Sequence, residues 1–596
     1  MFYPAAPTDT DRRTTAGSTP GRERMEQDPV TVDLLIIGSG AGGMSAAIRA
    51  HDLGLRALVV ESSDKYGGST AMSGGVCWVA NNPHMKKRGI DDSHDEGLAY
   101  LKAITRGEIE ESRLANYMTE SLRMMTWLEE RTHVRFDALD KYTDYYPEEP
   151  GGKPGGRSME CPEFNGALLG DEFRALRRPH PQSQIFGLFG ITARQAHTFL
   201  SSRLRTFIAM FFMFIGYMLR SGARRRLGRD TKLCAGNSLI ARLRRSMMDR
   251  NIPLWLNSPA NELIIEDGRV VGARVSRDGK VVDVRAERGV VLAAGGFDRN
   301  LEMRQRYQPS PITTDWTAAN PANLGRGIEM GMEAGGAVAL MDEAWWTPTC
   351  LIPGQKLASV LVVEKSLPHS CFVNQHGHRF TNEAAPYIDV VHGMYADQQR
   401  TNATIPAWMV FDATCRERYP VGPVAPGYAM KDNRLPRRIR EEFLFKANTI
   451  EELAAKMEVE PATLRATVDR FNGFAREGHD PDFHRGESAS DRYYGDPRSK
   501  PNPCLGPIES GPFYAIRVYP GDLGTKGGLV TDLRGRVERE DGSVIDGLFA
   551  VGNCQASVMG RTYPGAGGTI GPALTFGMLA AEAAAEAATA TADAAE

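Results

Sequence analysis

Leu34-Leu-Ile-Ile37-Gly38-Ser39-Gly40-Ala41-Gly42-Gly43-Met44-Ser-Ala-Ala47 decides the fold. Leu34 to Ile37 is an unbroken apolar run, as expected of a parallel strand buried on both faces. Three glycines at G-x-G-x-x-G spacing follow, and Met44 to His51 then forms helix. Gly38 permits a tight turn, Gly40 lets backbone approach a pyrophosphate, and Gly43 lets the helix pack on the strand. A pyrophosphate sits well at such a helix start, where free N–H groups and the dipole favour negative charge. Ser39, Ala41 and Gly42 belong to the same cofactor-binding turn.

Working outward, Ala57-Leu-Val-Val60 is a second strand, and it ends on Glu61 followed by Ser62. An acid about 20 residues beyond the first glycine is where a dinucleotide fingerprint carries its ribose carboxylate. A carboxylate there accepts from ribose hydroxyls and repels a 2′-phosphate, which argues against NADP. Next comes Gly67-Gly68-Ser69-Thr70-Ala-Met-Ser73-Gly74-Gly75. Such a run of glycines and hydroxyls suits a loop that wraps a polar ligand with backbone and side-chain donors.

The chain of 596 residues exceeds one ordinary domain. Its hydrophobic content of 42% and charged content of 24% are those of a protein with a large core. A net charge of -3 gives no general attraction to nucleic acid. The eight cysteines form no C-x-x-C pair, so no zinc or iron–sulfur site is expected, and a reducing, cytoplasmic compartment is. Residues 1–29 lack an apolar signal core and read as a disordered tail, with Met25 a second possible start.

Fingerprint, acidic strand end and G-G-S-T-A-x-S-G-G together resemble the flavoprotein family of fumarate reductases and 3-ketosteroid dehydrogenases. The resemblance implies non-covalently bound FAD and an α/β fold: a discontinuous Rossmann-like FAD-binding domain with an inserted α+β catalytic cap. Boundaries follow texture. Residues 30–300 form the first part of the FAD domain, 301–520 the cap, richer in Pro, Trp, Tyr and His, and 521–596 the returning part. Gly289 to Phe297, with Ala294 and Gly295, resembles the family's strand near the adenosine half. Gly547 to Asn553 is a strand that brings Gly552 and Asn553 to the cofactor. Thr569-Ile-Gly571-Pro572-Ala573-Leu574 opens an Ala-rich helix whose start can stabilise negative charge on reduced flavin. In the cap, Phe372 to Tyr387 resembles the family's N-x-x-G-x-R-F-x-N-E stretch, and Asp480 to Pro497 resembles ketosteroid dehydrogenases.

The substrate decides between subfamilies. A dicarboxylate needs cations, and fumarate reductases place His and Arg around it. Here Tyr387 stands near the place of the proton-donating Arg, no His precedes Thr525-Lys526-Gly527-Gly528, and Tyr563 stands near the remaining Arg, with Arg561 close by. Phenols suit a neutral ketone. The chain from about 31 to 585 resembles the 3-ketosteroid Δ1-dehydrogenases. That resemblance implies that Tyr563 and the Gly567 N–H donate to the C3 carbonyl and that Tyr387, as phenolate, removes a C2 proton. Tyr145 hydrogen-bonds Tyr387 and lowers its pKa, and hydride passes from C1 to flavin N5 in a trans elimination. Tyr142 and Tyr146 compete with Tyr145 for its role. A 3-oxo-5α-steroid 4-dehydrogenase, a fumarate reductase-type enzyme and a non-catalytic membrane-tethered FAD protein are the alternatives. An external electron acceptor is implied.

One segment, 195–232, reads as an insertion. Thr206 to Leu219 is nearly all apolar and is flanked by Arg203, Arg205, Arg220, Arg224, Arg225, Arg226, Arg229 and Lys232. As a helix it rises about 21 Å, short of the roughly 30 Å of a bilayer core. The pattern predicts a helix lying in the membrane interface beside anionic lipids, on the inner face of the cell membrane.

Overall fold

The computed structural model describes residues 30–185, 187–195 and 203–593. The expected tail, Met25 and positions 196–202 of the expected insertion lie outside them. The first strand, Val30–Ile37, sits centrally in an eight-stranded sheet. On one side it pairs in parallel with Ala57–Val60, which pairs with Leu254–Trp255. On the other it runs parallel to the long strand Lys280–Leu292. That strand turns back on Arg269–Arg277 and Ala260–Glu266, and Val544–Ala550 returns from the far end of the chain to pair with its last turn. Leu34, Leu35, Ile36, Val59, Val290 and Val291 are fully buried. Each such aliphatic side chain contributes about 1.5–3 kcal/mol. Asp267 and Gly268 both have positive φ and form the two-residue turn between Ala260–Glu266 and Arg269–Arg277.

Helices cover the sheet. Ala41–Asp52 packs against the closing helix Ile570–Asp593, which begins at Ile570 with Pro572 in its first turn. Two further helices are His94–Thr105, capped by Ser93, and Glu111–Arg131.

A second, six-stranded sheet is built from Ala344–Cys350, Ser359–Val360, Ser370–Val373, Ala407–Phe411, Phe445–Ala447 and the central strand Phe513–Thr525. Its pairings are antiparallel. The expected boundary at 520 falls inside that central strand, which runs on, largely buried on both faces, to Thr525. The apolar segment forms the helix Arg203–Leu219. Phe207, Phe212 and Leu219 are 72%, 65% and 81% exposed. No helix among the described residues is long and apolar enough to cross a membrane. Three of the flanking cations are taken up within the protein: Arg220 pairs with Asp230, Lys232 with Glu163, and Arg229 lies 4.5 Å over Phe173.

Candidate active site

One cavity of about 1350 Å³ runs from the end of the first strand to a cluster of tyrosines. At the strand end Gly38 has φ +111, and a Cβ there would lie 2.3 Å from the Ala293 carbonyl oxygen, so the turn admits glycine alone. The Cβ position of Gly40 meets nothing within 4 Å and faces the cavity. The helix Ala41–Asp52 starts without a capping side chain, and the Ala41 N–H donates to Thr70 Oγ1 at 3.3 Å. Gly40, Ala41 and Gly42 at that helix start line the cavity, where the dipole and N–H groups favour an anion. Glu61 accepts from Ser39 N–H (3.2 Å), Ser39 Oγ (2.5 Å), Ser62 Oγ (3.3 Å) and Ser63 N–H (3.1 Å). That network keeps the carboxylate fixed at the cavity wall.

Of the expected cofactor residues, Gly38, Ser39, Gly40, Ala41, Gly42, Glu61, Ser62, Gly68, Ser69, Thr70, Ser73, Gly74, Gly75, Ala294, Gly295, Gly552, Asn553 and Ala573 line this cavity. Five do not. Gly43 is packed behind the turn, its Cβ position 2.1 Å from the Gly38 carbonyl oxygen. Gly67 abuts Ala71 and Ile240 and donates its N–H to Ser39 Oγ. Gly571 is pressed against Tyr117 and Trp78, and Leu574 is fully buried with its carbonyl taken by Ser45 Oγ. Pro572 stands in the first turn of the closing helix, outside the cavity wall, which Thr569, Ile570 and Ala573 supply instead. These five glycine, proline and leucine positions shape the binding turns from behind.

Sequence reading missed the wall formed by Asn320, Asn323, Arg326 and Met330, and by Val360, Val362, Leu523 and Trp345. Asn323 donates to Ser69 Oγ (3.0 Å), which joins the expected G-G-S-T loop to this wall. Asn320-Pro-Ala-Asn323-Leu-Gly-Arg-Gly327 carried a loop-like signal. The apolar positions carried none, because a lining Val reads like a core Val.

Three tyrosines from distant parts of the chain meet at the far end. The Tyr145 hydroxyl donates to the Tyr387 hydroxyl at 2.7 Å. Ring centroids are 5.2 Å apart for Tyr145 and Tyr387, 5.3 Å for Tyr145 and Tyr563, and 5.5 Å for Tyr387 and Tyr563. All three are buried. Tyr387 opens the helix Tyr387–Thr401, directly after Pro386, whose fixed φ sets the helix entry. Tyr145 sits on a loop tied down by its neighbour Asp144, which accepts from Trp78 Nε1 and Arg157 Nη1, both at 2.8 Å. Burial raises the Asp144 pKa to about 6, opposed by the Arg157 charge. The loop also donates Tyr145 N–H to the Pro564 carbonyl at 3.1 Å, joining it to the segment that carries Tyr563. Of the competitors, Tyr142 lines the same cavity but hydrogen-bonds Tyr494 rather than Tyr387, and Tyr146 donates to Asp389 at 3.0 Å.

Electrostatics favour the neutral phenols. Burial pushes Tyr387 well above the ordinary tyrosine value, Tyr563 and Tyr142 push the same way, and the hydrogen bond from Tyr145 opposes them. The expected lowering by Tyr145 is thus present but outweighed by desolvation. Gly567 has φ +100 and lies against the backbone of Trp78; its N–H lines the cavity and donates to no group among the described residues. Arg561 turns away to Asp342, Glu343 and Glu108. It does not line the cavity. The tyrosine end therefore presents hydroxyls and a backbone N–H, matched to an uncharged carbonyl.

Comparison with known proteins agrees with this geometry. Residues 33–570 match the family model described as FAD binding domain. The chain is 42% identical over 560 residues to the 3-oxosteroid 1-dehydrogenase of Mycolicibacterium smegmatis, covering 92% of this chain and 96% of that protein. It is 35% identical to the 4-oxocyclohexanecarboxylate 2-dehydrogenase of Sinomonas cyclohexanicum, covering 92% of each. The crystal structure of 3-ketosteroid delta1-dehydrogenase from Sterolibacterium denitrificans, in complex with 1,4-androstadiene-3,17-dione, superposes with a TM-score of 0.90 at 43% identity. It covers 94% of this chain and 100% of that one. Glycine turn, Glu61 and cavity fit FAD, and the chain belongs to the FAD-binding flavoprotein family of the 3-oxosteroid 1-dehydrogenases.

Proposed function

We propose that this protein is an FAD-dependent oxidoreductase that introduces a C1–C2 double bond into 3-ketosteroids. The observation that carries the reading is the meeting of Tyr387, Tyr563 and Gly567 at one end of the dinucleotide cavity, with Tyr145 hydrogen-bonded to Tyr387 from behind the wall. Residues 30–300 and the chain beyond Thr525 hold FAD, and the segment between them, with Phe513–Thr525 as its central strand, caps it. Bound FAD supplies the acceptor for the hydrogen that leaves C1 with its electron pair. Tyr563 and the Gly567 N–H hydrogen-bond the C3 oxygen and stabilise the negative charge that builds there as C2 loses its proton. Tyr387, as phenolate, takes that proton, and Tyr145 holds the charged oxygen by its hydrogen bond. Closure of the cavity keeps water from the enolate.

Arg561 is withdrawn into three carboxylates, so a dicarboxylate substrate finds no guanidinium at the tyrosines. The similarity to a 4-oxocyclohexanecarboxylate 2-dehydrogenase favours a cyclic ketone as the minimal substrate feature. An external acceptor reoxidises the flavin. The helix Arg203–Leu219 and the free arginines beside it, Arg225 and Arg226, attach the protein peripherally to the inner face of the cell membrane.

The test is anaerobic bleaching of the flavin by androst-4-ene-3,17-dione or cholest-4-en-3-one, with product analysis by mass spectrometry and NMR. A 1-ene product is expected. A 4-ene product from a 5α-reduced steroid, without 1-ene formation, assigns the sister activity; no bleaching by any 3-ketosteroid overturns the reading.

A further inference from the structure

Behind the three tyrosines lies a second, polar layer, and each of its members is a chain neighbour of one of them. Tyr146 follows Tyr145, Asp389 lies one turn-step beyond Tyr387, and Thr562 precedes Tyr563. The Tyr146 hydroxyl donates to Asp389 at 3.0 Å and also lies against Thr562. Beneath them is Lys526, 1% exposed, at the end of the central cap strand. Its Nζ donates to the Thr562 carbonyl at 2.5 Å and sits 4.5 Å over the Trp345 ring. Trp345 in turn stands edge-on to Tyr563, ring centroids 4.6 Å apart. The Lys526 backbone is held on both sides, donating to Glu343 O at 3.0 Å and accepting from Ser557 N–H at 3.2 Å.

A buried lysine is costly unless something needs it. Burial lowers its pKa to about 7, offset in part by Glu343, Glu108 and Asp389 and deepened by Arg561. Lys526 does not itself line the cavity and meets its wall only through the Trp345 ring. Its contacts grip the residue before Tyr563 and the ring beside it.

We propose that Lys526 is a positioning residue for Tyr563: by clamping the Thr562 carbonyl and the Trp345 ring it sets where the Tyr563 hydroxyl stands relative to Tyr387. The Tyr563 hydroxyl hydrogen-bonds Thr569 Oγ1 at 3.2 Å and lies against Tyr387, so the lysine acts on the backbone and ring that carry it. An oxyanion donor works only when it is held where the charge develops, and a misplacement of about 1 Å can cost about 100-fold in rate. The inference rests on the proposed role of Tyr563 in polarising a ketone.

Two variants test it in the FAD-loaded enzyme. Lys526→Met keeps the length of the side chain and removes the donor; Lys526→Gln keeps an N–H donor without the charge. Lys526→Met is expected to lose about 10- to 100-fold in kcat with little change in KM. Its deuterium isotope effect at C2 is expected to rise, because the ketone is less polarised. Lys526→Gln is expected to recover at least part of the loss. Crystal structures of both variants are expected to show Tyr563 displaced in Lys526→Met and restored in Lys526→Gln. Wild-type kcat and an unmoved Tyr563 in Lys526→Met overturn the proposal. Loss of FAD and of the folded state in both variants also overturns it, since the lysine is then simply structural. The crystal readout is independent of substrate: if the wild type bleaches with no 3-ketosteroid, the functional reading fails while the position of Tyr563 still decides this one.

Discussion

Tyr387 carries two demands that conflict. As the proposed base it must lose its proton, yet burial and the Tyr563 and Tyr142 phenols raise its pKa well above the ordinary value of about 10. Tyr145 is the counterweight, because a donor to the phenolate oxygen favours the charged form. The working fraction of base therefore grows as pH rises. The kcat/KM of the wild type is expected to climb through neutral and alkaline pH until the protein itself gives way, measured by dye-coupled turnover in buffers of constant ionic strength. Tyr387→Phe removes the base and should lower kcat by roughly 100- to 10,000-fold, while flavin content and fold remain. A Tyr387→Phe enzyme within tenfold of wild type would place the base elsewhere. Arg561 illustrates why residue identity alone misleads. Its position in the sequence beside Tyr563 suggested a substrate cation, and three carboxylates draw it to the other side of the segment.

At the scale of elements, the helix Arg203–Leu219 stands apart. Most helices here bury one face; this one leaves Phe207, Phe211, Phe212 and Phe214 at least half exposed along with Met218 and Leu219. An exposed aromatic patch of that size in a soluble surface is unfavourable and marks an interaction surface. Replacing the four phenylalanines by serine removes about 1.5–3 kcal/mol of lipid-side burial for each ring. Sedimentation with phosphatidylcholine–phosphatidylglycerol vesicles is expected to fall from mostly bound to mostly free. Surface substitutions of this kind change stability by only about 0.5 kcal/mol each, so thermal unfolding should hardly move. Equal sedimentation of the variant and the wild type would refute the membrane role. The glycine turn is the opposite kind of element. Its geometry comes from local backbone, and its alternation of strand, turn and helix needs no partner to be recognised.

Over the whole molecule, buried phenols are unusually numerous. Tyr66, Tyr100, Tyr117, Tyr145, Tyr146, Tyr387, Tyr395 and Tyr494 all have pKa values pushed upward by burial. The linkage has a definite sign. Below the unfolded value of about 10 both states hold these protons, and stability is full. Above it the unfolded chain releases protons that the folded protein keeps, so stability falls as pH rises toward the folded values. Denaturant midpoints should be steady up to pH 9 and decline steeply beyond about pH 10. Tyrosinate absorbance should then appear together with loss of ellipticity rather than ahead of it. Gradual ionisation in a protein that stays folded would show that these hydroxyls are less shielded than the packing implies.

Much of the cofactor half was legible because its signals are local. Strand, glycine turn, helix and the acid at Glu61 fall within about thirty residues, and the backbone obeys its own sterics there. The closing helix could be placed by composition, though not the packing that hides Gly571 and Leu574 from the cavity. Resemblance to a family supplied Tyr387 and Tyr563 and favoured Tyr145, with Tyr142 and Tyr146 as competitors. Only the tertiary structure separates them, by giving Tyr142 to Tyr494, Tyr146 to Asp389 and Tyr145 to Tyr387. Lys526, too, is an ordinary lysine in a row of letters; the fold buries it under Tyr563. The sequence by itself determined that a dinucleotide lies at Gly38 to Gly43, since that depends on bonds between near neighbours. Which hydroxyl meets which, more than 200 residues apart in the chain, was decided by the packing of two sheets and the closure of the cap across the cavity.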